Sequence, residues 1–543
     1  MRAGTFQGLI EIETVVLMRK LVACVSLAAL LATGCGMVET SGGGAKTDGV
    51  AEVAPEQVTP EALRAAVTDD QVKRFYEARQ WAPVWDKARA DELTAAFADA
   101  ERHAIQSSGY MKEAEAGGNA AEREAALTKA ALNYAKALAT GAADPKKIFE
   151  VYEVPMHKAD VVAGLQKASG ESGGVRQWLA GLPPQDAEYK ALSEAYLQYR
   201  QRAGQEKQAA VPVGDKIERG DKDPRVPAIA AALRRNGYLP AEPLAQPAEG
   251  QQKAKAKAAA PTDIFTAQMA EAVKRVQADY GIKPDGIIGN ATLEALNTGA
   301  VDRARILAVN LERRRWLERQ PAATRIDVNT GAAELTYYRD GQPVNRRRVV
   351  VGQPEWETPE LASPIVRLVA NPPWTVPESI AEEEILPKGA AYMAKERIVT
   401  KNGRLVQEPG PKSALGLVKF DMANPHAIYL HDTPAKALFA TTERHASHGC
   451  ARVEDAIGFA RMLADHQGKL EEFNKALATG EETSIPLENK IPVRLLYHTA
   501  YYDGGKVVFR TDPYGWDDKL AQVMGLGGQI RPRVKTHYND IGP

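Results

Sequence analysis

The chain reads as a multidomain α+β protein: an N-terminal all-α region, a small three-helix module and a C-terminal β-rich domain. Three observations predict this. Ala-rich segments with apolar residues at helical spacing fill most of residues 61–300, as in Leu127, Ala130, Leu132, Tyr134, Ala135 and Leu138. From about Thr324 they give way to alternating segments separated by turn residues. The 543 residues also exceed what one hydrophobic core organises, so several folded units are expected.

The first element is an export signal. Met18-Arg19-Lys20 is basic, Leu21 to Leu31 is apolar, and Ala32-Thr33-Gly34-Cys35 closes the segment with small residues. This stretch is too short to span a bilayer as a helix. Its end resembles a bacterial lipobox, with Ala32 where Leu is usual, which implies cleavage after Gly34 and a lipid on Cys35. Glu11 and Glu13 precede the basic segment, where acid hinders export, so residues 1–17 are expected to be a misassigned start and 18–34 the signal peptide. The expected location is the periplasm of a Gram-negative bacterium, on the outer membrane through Cys35. Residues 35–60 are rich in Gly and small polar residues and read as a tether.

Residues 61–215 read as an α-helical scaffold with breakers at Gly141, Pro145, Pro155 and Gly181 to Pro184. Phe75, Tyr76, Trp81 and Trp85 are expected to pack its core. Residues 223–300 form the next helical unit, interrupted by an Ala-, Pro-, Gln- and Lys-rich insertion at 241–262. Its first helix lies in "VPAIAAALRRNGYLP", stopped by Gly237; a second carries the stripe Ala272, Val273, Val276, Tyr280; a third starts at Asn290 or Thr292 after the Pro284-Asp285-Gly286 turn. Gly281, Asp285, Gly286 and Gly289 resemble the Gly-x-x-x-Asp-Gly-x-x-Gly turn of peptidoglycan-binding modules, which implies a brace or a grip on wall polymer. A connecting helix is expected over 301–321. In the β-rich domain, 322–510, Asp340-Gly341 is a strong hairpin signal. Further strands are expected at "IVRLVANPPWTVP", "LGLVKFDM", "AIYLHD" and "IPVRLLYHTAYYDGGKVVFR", with 511–543 as a C-terminal tail.

Lys and Arg number 69 against 70 Asp and Glu, so no overall field steers the chain toward nucleic acid, and no such partner is expected. Of three cysteines, Cys24 is expected to leave with the signal and Cys35 to carry lipid, as the lipobox resemblance implies. Cys450, in "HASHGCARVEDA", is then the remaining thiol of an exported chain, and no disulfide framework is possible. Four of the nine histidines, His426, His431, His445 and His448, fall within residues 426–450. Strand alternation puts Ile428 and Leu430 on one face and Tyr429 and His431 on the other, so His431 is expected to face a cleft. Extended geometry likewise places His448, Cys450 and Arg452 together. A cysteine nucleophile needs a base or a positive neighbour, which a histidine supplies, and the other ring nitrogen needs an acceptor.

"YLHDTPAKALF" followed by "SHGCARVEDA" resembles the active-site signature of the YkuD-type L,D-transpeptidases: a histidine, a short gap, then Ser/Thr-x-Gly-Cys. The segments "AVNLERRRWL", "YYRDGQPV", "NPPWTVPESIAEEEILPK" and "GLVKFDMANPHAIYLHDTP" are similar to the large periplasmic subgroup with a helical scaffold and a peptidoglycan-binding module. The resemblance implies that Cys450 forms a thioester with a donor stem peptide and that His431 activates it. It implies that the backbone carbonyl of Asp432 holds the imidazole, and that the N–H groups of Gly449 and Cys450, with the Tyr429 hydroxyl nearby, stabilise the oxyanion. Arg452 would bind a stem-peptide carboxylate. Ser447 and Trp374 are expected to contact substrate, and His448 to have a supporting role. The segment between the "NPPWTVP" and "GLVKF" strands, 378–413, is short for this subgroup's lid, where Tyr392 could also line the cleft. No metal and no cofactor are expected. The partners are peptidoglycan stem peptides, the membrane through the lipid anchor, and other cell-wall enzymes.

Two rival readings stand beside this one. A zinc hydrolase could use His431, His445, His448 and Cys450, although no Glu lies beside them as in His-Glu-x-x-His. A non-catalytic wall-binding scaffold lipoprotein would leave Cys450 without a role. Within the enzyme reading the expected reaction joins diaminopimelate residues of neighbouring stems. Carboxypeptidase trimming or protein attachment would share the first half-reaction.

Overall fold

Asn119 accepts a hydrogen bond from Glu122 N–H at 2.9 Å and opens the helix Ala120–Thr140, which Gly141 ends. In this computed structural model residues 57–171, 174–204, 210–240 and 263–527 are described. The start, signal, Cys35 lipid site, most of the tether, the 241–262 insertion and the tail from 528 lie outside the described residues.

The Ala120–Thr140 helix buries Ala130, Leu132, Tyr134 and Leu138 against Phe75, Tyr76, Phe97 and Leu165. Glu124 sits inside this core because it accepts from Tyr76 Oη at 3.0 Å and from the N–H groups of Val84 and Trp85. Trp81 and Trp85 pack at its edge. Pro145, read as a breaker, instead occupies the first turn of the short helix Pro145–Ile148, where its missing N–H is harmless. The region is not wholly helical: Tyr152–Glu153 pairs in parallel with Glu360–Leu361 of the β-rich domain. A two-residue strand has no periodicity by which to be read.

The three-helix module consists of Val226–Arg235, Ala267–Asp279 and Asn290–Asn297 around Val226, Ile229, Val273, Val276 and Leu296. Its turn is organised by Gln277, whose Nε2 donates to Asp285 Oδ1 (2.9 Å), Ile287 O (2.9 Å) and Thr292 Oγ1 (3.1 Å), while Oε1 accepts from Gly286 N–H. The connecting helix Ala300–Trp316 is more than a spacer. Arg303, Asn310, Glu312, Arg313 and Arg315 are all buried on it. They are tolerated inside because Arg315 pairs with Glu312 and Arg313 with Asp517, while Asn310 Nδ2 donates to Thr499 Oγ1 at 2.8 Å. Residues 511–527 belong to this assembly too, since the helix Trp516–Val523 buries Trp516, Leu520 and Ala521 beside Trp316 and Phe149.

In the β-rich domain the Asp340-Gly341 turn joins Glu334–Arg339 to Gln342–Gly352. Among the described residues the large sheet runs in the order Thr483–Ile491, Ile365–Ala370, Val418–Met422, Leu430–His431, Ala451–Val453, Gln342–Gly352, Glu334–Arg339, Arg325–Asn329 and Val493–Leu496. Helices Ala456–His466 and Leu470–Thr479 cover one face through Phe459, Leu463 and Phe473. Residues 374–415 form a lid with its own three-stranded sheet and a small core of Trp374, Ile380, Ile385, Ile398 and Leu415. Among the described residues no helix is long and apolar enough to cross a membrane.

Candidate active site

The middle of the sheet brings the His and Cys segments side by side. Leu430–His431 runs parallel to Ala451–Val453 with Leu430 opposite Ala451 and His431 opposite Arg452; on its other edge His431 faces Lys419. Register and alternation then assign Leu430, Ala451 and Phe420 to the core face. Lys419, Tyr429, His431, Cys450 and Arg452 share the opposite face.

Cys450 lies on the floor of a cleft of about 1060 Å³, which Tyr429, Lys419, His426, His448, Trp356, Trp374 and the lid residues Glu378 to Glu382 also line. Its thiol donates to Ala427 O at 3.6 Å. Burial pushes the thiol up to about 11, against the pull of the Tyr429 N–H, Lys419, the Tyr429 hydroxyl and Arg452. At neutral pH the group is therefore held as a thiol, and it would need a base to act as a nucleophile. Burial likewise holds the Tyr429 hydroxyl well above its usual range, with Cys450 adding to the effect, so it remains a proton donor to the sulfur.

His431 is fully buried and lies beneath the cleft floor, with its ring edge-on to Tyr429 at 5.7 Å. This departs from the expectation that it would line the cleft itself: Tyr429 lines it and His431 does not. Its Nδ1 is 2.5 Å from Asp432 O. A carbonyl can only accept, so Nδ1 carries the proton and Nε2 keeps the lone pair of a base. The Asp432 carboxylate does something else. It accepts from Leu417 N–H at 3.0 Å and pairs with Lys436, which fixes the strand end.

The other expected contacts are placed differently. Ser447 is fully buried, donates from Oγ to Cys450 O at 2.6 Å and accepts from Gly449 N–H at 3.3 Å. It shapes the loop and does not line the cleft, and it takes up the Gly449 N–H expected in the oxyanion site. Gly449 itself has φ +113°, a conformation that a side chain would strain. Arg452 is buried with 1% of its surface exposed and does not line the cleft, because its strand continues into the sheet. Two cations line the cleft instead, Arg404 of the lid and Lys419 of the sheet, whose Nζ lies 4.3 Å over the Tyr429 ring and 2.8 Å from Asp421. Sequence reasoning passed over Lys419, although its alternation with Phe420 in "LVKFDM" was visible. Trp374 meets the cleft while serving the lid core; Tyr392 packs against that core. His448 stands edge-on to Trp356 and binds Glu384 of the lid at 2.6 Å.

The zinc reading finds no ligand set. His445 is tied to Thr330 O at 2.8 Å and His448 to Glu384, so neither converges with His431 on Cys450. Among the described residues no three His, Cys, Asp or Glu side chains form a metal-binding group.

Comparison with known proteins places three family models on the chain: an L,D-transpeptidase catalytic domain at residues 323–482, a scaffold domain at 70–195 and a peptidoglycan binding domain at 222–296. An L,D-transpeptidase candidate of Haemophilus influenzae is 36% identical over 219 residues, which cover 36% of this chain and 45% of that relative. The match thus spans less than half of the relative's length. Solved L,D-transpeptidases of Stackebrandtia nassauensis and Xylanimonas cellulosilytica are each 14% identical, with TM-scores of 0.22 and 0.16. They cover 55% and 52% of this chain and 100% and 98% of theirs. At such scores neither structure bears on the assignment.

Proposed function

We propose, from the premise that residues 323–482 are an L,D-transpeptidase catalytic domain, that this chain transfers acyl groups between peptidoglycan stem peptides through Cys450. The observation that carries this reading is the cleft floor: a buried thiol beside the Tyr429 hydroxyl, on the same sheet face as an imidazole held by the Asp432 carbonyl.

Cys450 Sγ attacks the donor carbonyl while His431 Nε2 takes the thiol proton. The negative charge gathers on the carbonyl oxygen, opposite the Cys450 N–H. As the C–N bond breaks, the imidazolium returns its proton to the leaving amine and a thioester remains. An acceptor amine then attacks the thioester. His431 takes the amine proton, the C–S bond breaks, and the sulfur is reprotonated. Lys419 supplies the positive charge for a stem-peptide carboxylate, the part first given to Arg452. The acceptor proposed is the side-chain amine of diaminopimelate on a neighbouring stem, which yields a cross-link. The chain works where the wall is, in the periplasm, exported by residues 18–34 and anchored through lipid on Cys35.

Mass spectrometry of muropeptides after incubation with the pure protein tests the reaction. Cross-linked dimers from wild type and none from Cys450→Ala are expected; equal products from both would leave only a wall-binding scaffold. A carbapenem should add covalently to Cys450. A lipidated N-terminal peptide starting at Cys35 is expected from bacterial membranes, and an unlipidated one would remove the anchor from the proposal.

A further inference from the structure

The loop that carries the nucleophile is held by a group outside the His and Cys segments. Thr358, fully buried, donates from Oγ1 to Gly449 O at 2.7 Å and accepts from Gly352 N–H at 2.8 Å. Because the Gly352 N–H points at the hydroxyl oxygen, the hydroxyl proton is left for Gly449 O. The Thr358 N–H donates to Tyr514 Oη at 3.3 Å, and Tyr514 Oη donates to Gly352 O at 2.7 Å. The ring of contacts is closed. It is also tight, since a Cβ on Gly352 would lie 2.0 Å from Trp356 O.

Tyr514 lies beyond the catalytic-domain match and is wedged between Tyr497 (5.3 Å), Trp516 (5.0 Å) and His445 (5.5 Å). Trp516 in turn packs on Phe149 of the helical region at 5.1 Å. The brace therefore rests on segments that precede and follow the catalytic-domain match.

In a trans peptide the C=O of one residue and the N–H of the next point in opposite directions. Anchoring the Gly449 carbonyl to Thr358 thus turns the Cys450 N–H away from the loop interior. At a glycine with positive φ this peptide could otherwise turn over at modest cost. We infer that Thr358, backed by Tyr514, is a positioning residue that holds the Gly449–Cys450 peptide so that the Cys450 N–H meets the developing oxyanion.

The inference rests on the acyl-transfer reading, and the test separates the two. Acylation by a carbapenem passes through a tetrahedral oxyanion; alkylation of the same thiol by iodoacetamide forms none. Both rates are measured on the full chain by intact-protein mass spectrometry. For Thr358→Val, acylation should slow by about 10- to 100-fold, since one preorganised oxyanion donor contributes on the order of 100-fold or more. Alkylation should stay within about twofold, and Thr358→Ser should recover most of the acylation rate. Tyr514→Phe, which leaves the Thr358 hydroxyl in place, should show a smaller loss with the same selectivity and serves if the valine variant fails to fold. Equal slowing of both reactions, or of neither, overturns the positioning role. A wild-type thiol that is alkylated but never acylated overturns the acyl-transfer reading, and this inference with it.

Discussion

His431→Asn keeps an N–H donor near Asp432 O but removes the base, and the loss it causes should depend steeply on pH. With the thiol titrating at about 11, the ionised fraction at pH 7.5 is about 10 to the power −3.5, or one molecule in roughly 3000. In the proposed mechanism wild type avoids that limit because His431 takes the proton during attack, and general-base help of this kind is worth about 100- to 10,000-fold. Acylation by the variant should therefore be slower by about 1000-fold at pH 7.5. Its rate should then rise about tenfold per pH unit toward pH 11, narrowing the gap as the thiolate forms unaided. The assay is single-turnover carbapenem acylation across pH 6 to 10, with iodoacetamide alkylation giving the thiol titration. A wild-type titration below about pH 7, or an equal loss at every pH, would refute the reasoning, since either means a thiolate already formed at rest.

Other outcomes follow from the same geometry. Lys419→Met should raise the KM for stem-peptide donors by about 10-fold or more with little change in kcat, because a charge-assisted bond to a carboxylate is worth about 1.5–3 kcal/mol; an unchanged KM would return that role to another cation. Glu312→Gln leaves the Arg315 guanidinium buried without its carboxylate and should cost about 3–5 kcal/mol in urea unfolding, and a cost below about 1 kcal/mol would contradict the pairing. Glu360 is raised from 4.5 to about 7 by burial, against the pull of Arg313, so the folded state holds its proton more tightly than the unfolded chain. Its contribution to stability is full below about pH 4.5 and is lost as pH rises through about 7. The stability of Glu360→Gln minus that of wild type should then grow between those limits by up to about 3 kcal/mol, and a difference independent of pH would remove Glu360 as the cause.

Much of the site could be read in advance because the signals are local. Alternation assigned Tyr429 and His431 to one face, and the expected loss of Cys24 and lipidation of Cys35 left Cys450 as the thiol to consider. What was misread depends on which neighbour lies across the sheet. Arg452 follows the nucleophile by two residues and shares its face, yet its strand enters the interior, while Lys419, on the neighbouring strand, reaches the cleft. Ser447, expected to contact substrate, instead donates to the Cys450 carbonyl, a contact that loop closure sets.

By itself the sequence determined the order of helical and β-rich segments, the residues proposed as nucleophile and base, and the family they resemble, since periodicity and short motifs are properties of neighbouring residues. Tertiary structure alone decided which groups surround Cys450. Gly449 O meets Thr358 across 91 positions and Thr358 N–H meets Tyr514 across 156. Asn310 meets Thr499 across 189. Such pairings follow from how sheet and helices pack, and no local spacing encodes them.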